Sequence, residues 1–196
     1  MYSLQYFARI RCTVNLLPQL RQAAGAQQLA RVVSVLGAGN EGKILDEDLD
    51  LKHHFSLRIC SGQAMSMTSI ALEHLARHDT NIDFVHAYPG PVRGTNILCH
   101  MGKLIGTCAN VAMTIFAPFT LSLPECAKIQ CRIALAPDLK SLQAARAKLD
   151  STMVLLRLNA KGQPCGPNIF VSSYIQDAMM EKIWAFTQGV FQRVCS

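Results

Sequence analysis

The sequence predicts an α/β protein, a parallel sheet with helices on its faces. Two observations carry this. Arg31 to Leu36 (RVVSVL) and Ile82 to Tyr88 (IDFVHAY) are apolar runs of the length that buried parallel strands have. They alternate with apolar segments of helical period, and crossovers that long join parallel strands. A chain of 196 residues is one domain by length, and it is long enough to bury a core.

The elements follow in order. Residues 2–24 read as a helix, with Leu4, Phe7, Ile10, Val14 and Leu17 at helical spacing and Gly25 as the stop. The strand at 31–36 runs into Gly37, Gly39 and Gly42, a loop. The acidic stretch 43–51 is expected as a surface loop. Residues 61–77 predict a second helix through Met65, Met67, Ile70, Ala71, Leu75 and Ala76. The strand at 82–88 closes on Pro89-Gly90. An apolar segment fills 97–123. Helices are expected from Pro124 to Leu135 and from Asp138 to Leu149, then a strand at Thr152 to Leu158 and a Gly/Pro turn over 159–167. A closing helix spans Asp177 to Val194.

Composition narrows the function classes. Apolar residues make up 50 % of the chain and charged residues 16 %, well below the typical charged fraction of about 25 %. Mean hydropathy is +0.19. Disorder is excluded on these numbers. The net charge is +6, but the basic residues are scattered, and the dense charge patch is acidic: Glu41, Asp46, Glu47, Asp48 and Asp50. No nucleic-acid partner is expected. The eight cysteines include no CxxC and sit mostly among apolar neighbours. They are expected to be reduced core residues of a cytoplasmic protein. Leu104 to Pro124 carries no charge over a membrane-spanning length, yet Asn110, Pro118 and three Thr dilute it. A lid over residues 97–123 is expected, with peripheral membrane contact as the alternative and no span.

Four phrases in this order resemble the short-chain dehydrogenase/reductase family: NLLPQLRQA (15–23), RVVSVLGAGNEG (31–42), ALEHLA (71–76) and VHAYPGPVRGT (85–95). The closing EKIWAFTQGVFQRV (181–194) is similar to a fungal branch found among natural-product pathways. The resemblance covers nearly the whole chain. It implies a partial Rossmann-like doubly wound sheet, the C-terminal half of that fold, in a single domain 1–196 lacking the N-terminal dinucleotide-binding half. It also implies NAD(P) as the cofactor and a small apolar metabolite as the ligand. Dimers of the family imply self-association through helices 2–24 and 61–77.

The chemistry that the resemblance implies is not matched by the residues. The family's Gly-rich phosphate turn is not found: no G-x-x-x-G-x-G follows any strand. The family's general acid Tyr and its partner Lys correspond to Ser61 and Met65. Its carbonyl-polarising Ser corresponds to Gly37, and its relay Asn to Gln5. An aliphatic hydroxyl is a far weaker acid than a phenol, and Met65 carries no charge to tune one. Pro89, Gly90 and Thr95 remain as a partial cofactor contact, with a plain turn after a buried strand as the alternative. NAD(P) is therefore not expected to bind this chain.

Other candidates read as structural. His53 and His54 belong to a solvated loop, His74 and His78 to a helix surface, His86 to a satisfied core, and Tyr88 to packing. Ser34 and Ser61 lack the G-x-S-x-G context of an activated nucleophile. Three functions stay open: an oxidoreductase relative that is redox-inactive as the chain stands; a non-redox pseudoenzyme, partner subunit or isomerase/cyclase with an apolar pocket; and a truncated product that folds poorly.

Overall fold

The computed structural model describes residues 2–93 and 120–195. Its centre is a parallel sheet of β1 (Arg31–Val35), β2 (Asp83–Ala87) and β3 (Leu156–Leu158), in that spatial order. Val33 pairs with Val85, and Val85 with Leu156. The expected α/β class and partial doubly wound sheet are therefore present.

Alternation along the strands builds two cores. Val85, Ala87, Leu156 and Leu158 point to one face, where Ile133 of α4 (Leu123–Leu135) and Leu139 cover them. Phe84 and Leu155 point to the other. There α1 (Tyr2–Gln5), α2 (Phe7–Gly25), α3 (Leu57–His78), α6 (Ile169–Gln176) and α7 (Met179–Cys195) pack. A shorter helix, α5 (Lys140–Leu149), precedes β3.

The boundaries differ from expectation for local reasons. The first helix breaks at Tyr6, whose backbone (φ −120°, ψ −71°) is non-helical. Tyr6 is fully buried and its hydroxyl meets Thr187 Oγ1 at 2.6 Å. The second piece ends at Gly25, as expected, and Gln27 just beyond it takes φ 58° while Gln28 N–H bonds back to Ala23 O. α3 begins four residues early because Ser56 caps it, accepting from Ile59 N. β3 is short because Val154 and Leu155 donate their N–H groups to the buried Glu73 carboxylate, not to a ladder. α6 was not expected; Asn168 starts it by accepting from Phe170 N and Val171 N. α4 starts at Leu123, one residue ahead of the expected Pro124, because a capping box precedes it in which Ser122 and Glu125 bond each other's backbone.

Three side-chain expectations are corrected. The stretch 43–51 is not simply a surface loop: Ile44, Leu49 and Leu51 enter the core. Asp48 is buried and accepts from the N–H groups of Lys52, His53 and His54. His74 is not a surface residue; it is buried and stacks on Trp184 at 4.6 Å. Of the cysteines described as free thiols, Cys60 and Cys126 are buried, but Cys12 and Cys131 are exposed.

Helix α3 is buried over most of Cys60–Ala76, covered by the sheet and by α7, α6 and α1. Of the two helices expected to serve self-association, α2 has a free surface at Leu16 and beside β1, and α3 has one only at its ends and along the groove that Ser61 and Met65 line. Among the described residues β1 is a sheet edge. The expected lid lies outside the described residues except at its return, where Leu121 bridges Val92. Among the described residues, no helix is long and apolar enough to cross a membrane.

Candidate functional site

The site is built where β1 ends. The chain leaves Val35, turns through Gly37 and Gly39 (φ 88°), and runs alongside the first half of α3. The two backbones nearly touch. A Cβ on Gly42 would stand 3.0 Å from the Gly62 Cα, and Gly42 N–H donates to Gly62 O at 3.2 Å. Ser66 Oγ returns a bond to Gly42 O at 2.5 Å. No side chain fits between these backbones. Gly42→Val is expected to cost roughly 2–4 kcal/mol by overpacking and loss of these bonds. A shift of the urea midpoint of less than a tenth would contradict that close approach.

This rivet aligns the positions that the sequence singled out. Met65 lies directly under Gly37: a Cβ at 37 would meet its Sδ and Cε at 2.5 Å. Ser61 is one turn earlier on the same helix. Gln5 accepts a hydrogen bond from Cys60, the neighbour of Ser61, at 3.6 Å. Met65 thus stands against Gly37 just beyond the carboxyl end of β1, Ser61 lines the same groove as Met65, and Gln5 touches the helix only at Cys60. Ser61 and Met65 line a groove of roughly 850 Å³ with Asn40, Lys43, Leu45, Arg58, Ile59 and Phe170. Pro89 and Gly90 end β2, and Gly90 has φ 76°. A Cβ there would stand 2.7 Å from Ala160 and 3.5 Å from Leu121. The turn is therefore packed against the loop after β3. Thr95 lies outside the described residues.

Beneath the groove is a buried polar network that the sequence reading did not find. Ser69 Oγ donates to Glu41 Oε1 at 2.8 Å and stands 2.7 Å from His86 Nδ1. With its proton given to Glu41, the Ser69 oxygen accepts from Nδ1–H. That leaves Nε2 to accept Gly37 N–H at 3.2 Å, so His86 is neutral with its proton on Nδ1. Burial pushes the His86 pKa down to about 4, against the raising influence of Glu41; Arg157 and Arg9 add to the depression. Glu41 Oε2 pairs with Arg157 at 3.2 Å, and Arg157 also reaches Gly166 O and, at 3.7 Å, Asp150. Asn168 donates to Glu41 O.

The grouping of Ser, His and Glu is not a nucleophilic triad. Glu41 bonds the serine rather than the histidine, and all three side chains are closed to solvent. The network holds the 37–42 loop against β2 and β3. His86 is thus a satisfied core histidine, as the sequence suggested. The spacing of Glu41 from Ser69 and Arg157 shows no sequence period, because the sheet register, not the chain, brings them together.

Among the described residues, Gly37 and Met65 do not offer the hydroxyl and the cation that the resemblance implies. Where a lysine would hold a ribose stands the Met65 thioether, and it fills the space beside Gly37. The 37–42 glycines are spent on contacts with α3 and Cys165 rather than on a phosphate cradle.

Comparison with known proteins gives the following. No family model matches the chain. It is 46 % identical over 127 residues to Oxidoreductase AN1596 of Emericella nidulans, covering 64 % of this chain and 37 % of that protein. It is 35 % identical over 121 residues to Oxidoreductase andH of Emericella variicolor, covering 62 % and 34 %. It is 36 % identical over 92 residues to the NmrA-like family domain-containing oxidoreductase notO of an Aspergillus, covering 46 % and 27 %. The chain spans about a third of the length of these curated relatives. Its similarity is to fungal proteins named oxidoreductases, and its parallel sheet is of the kind expected for a Rossmann-like fold.

Proposed function

We propose that the chain is a relative of NAD(P)-dependent short-chain dehydrogenases that binds a small metabolite in the groove beside α3 and does not itself transfer hydride. The observation that carries this is the pairing of Gly37 with Met65. The thioether occupies the place where a polarising hydroxyl at 37 would stand, and it replaces the cation that would tune an acid at 61. Ser61 lines the groove with no hydrogen-bond partner among the described residues. The oxidoreductase names of the relatives support descent from redox enzymes. The fungal natural-product branch rests on the sequence resemblance.

The second reading is a non-redox role, as a partner subunit or as an isomerase or cyclase that uses the groove for shape. The open edge of β1 and the exposed surface of α2 favour a partner there. Self-association through that face, a cytoplasmic location with peripheral membrane contact, and a lid over 97–123 belong to the same proposal.

The test is nicotinamide oxidation by the purified chain with a panel of apolar aldehydes and ketones. No saturable, substrate-dependent consumption of NADH or NADPH is expected. The double variant Ser61→Tyr, Met65→Lys is expected to remain inactive, because it restores an acid without a cradle for the phosphates. Saturable turnover by the unaltered chain overturns the proposal.

A further inference from the structure

We propose that the groove beside α3 binds an amphipathic anion, a carboxylate with an apolar body, and reads its charge through Lys43 and Arg58. The floor is apolar. Leu45, Ile59, Met65 and Phe170 line it and are half-buried. Its roughly 850 Å³ lies within the range of small-molecule sites.

The charges at the groove are one-sided. Lys43 and Arg58 are both exposed and line it. Neither makes an ion pair or side-chain hydrogen bond among the described residues. The acidic group that also lines the groove, Glu41, is committed to Ser69 and Arg157 beneath the floor. Beyond the rim, Asp46 pairs with Lys182 at 2.5 Å, and Asp50 with Lys52 at 2.6 Å. Glu47 is exposed but does not line the groove. An apolar floor with two unpaired cations above it is complementary to a carboxylate on a hydrocarbon body, and a neutral or cationic head group would leave both cations unmatched. Ser61 adds a hydroxyl that can donate to the same head group.

This inference rests on the groove-binding half of the proposed function and not on its redox half. Nicotinamide turnover would overturn the redox half and leave this inference untouched.

The probes are decanoate, decanol and decylamine, titrated below micelle formation into the full chain by calorimetry. Methionine methyl groups labelled with carbon-13 report the place of binding, and the Met65 signal is identified by its loss in Met65→Leu. Decanoate is expected to bind one to one and to shift the Met65 methyl. Decanol and decylamine should bind on the order of tenfold more weakly, and salt should weaken decanoate but not decanol. The double variant Lys43→Ala, Arg58→Ala should lose a similar factor while its circular dichroism melt is unchanged, and Arg58→Lys should keep most of the affinity. The proposal fails on equal affinity for the three head groups, on unaltered affinity in the double variant, on saturation without a Met65 shift, or on absence of saturable decanoate binding.

Discussion

Arg157→Met is expected to lower the unfolding free energy by about 3–5 kcal/mol, the cost of stranding buried charge. Arg157 is buried and stands between two buried carboxylates, Glu41 and Asp150. Methionine fills a similar volume but leaves both without a cation. Glu41 would keep the Ser69 hydroxyl and Asp150 the Thr152 hydroxyl, neither of which neutralises a charge. The measurement is the urea midpoint and slope by tryptophan fluorescence, for which Trp184 is the single reporter. Adding Glu41→Gln to Arg157→Met should recover part of the loss, because the two changes are coupled through one ion pair. A loss below about 1 kcal/mol would contradict this role of Arg157.

Acid is expected to destabilise the fold through His86 before the carboxylates protonate. Its folded pKa is depressed from 6.5 to about 4, chiefly by burial. Between those values the unfolded chain binds a proton that the folded chain refuses. Stability from this group is fully present above pH 6.5 and is lost as pH falls toward 4, by about 3 kcal/mol over the window. Protonation would also place a second proton on Nε2, facing the Gly37 N–H that it now accepts. His74 is depressed in the same direction by burial, so both histidines contribute to the slope. Asp48 is shifted too: burial raises it, and the N–H groups of 52–54 together with His54 lower it further, so the net is downward. Its stabilisation is fully present above the usual carboxylate range and is lost progressively as pH falls through that range toward the depressed folded value. Urea unfolding at several pH values, compared with His86→Gln, isolates the histidine. An equal slope in the two proteins between pH 4 and 6.5 would remove His86 from this role.

The polar network beneath the groove ties the loop after β1 to the middle of α3 and to the sheet. Glu41 ties Ser69 of α3 to Arg157 of β3, Asn168 ties the start of α6 to Glu41 O, and His86 of β2 holds Gly37. A ligand in the groove would therefore rest on a floor that three strands and two helices position.

Periodicity alone determined much of this protein. The strands β1 and β2, the helices at α3, α4 and α7, and the α/β class were readable because burial of an apolar face imposes a local repeat, although β2 is buried and the edge strand β1 only half-buried. The Gly/Pro turn at 159–167 was readable because Gly162 takes φ 71°, a conformation glycine adopts without strain. That Met65 would meet Gly37 carries no signal in their spacing, and only the resemblance drew attention to the two positions. What tertiary structure decided is the fate of the polar residues. Glu41, Asp48, Glu73, His74 and Arg157 look like surface charges in sequence, yet all are buried. A charge can enter the core only when partners from distant segments meet it, and the partners of Glu41 stand 28 and 116 residues away. Glu73 cut β3 short, and Gly42 met Gly62, for the same reason: each depends on which backbone the sheet brings alongside, and no local pattern encodes that.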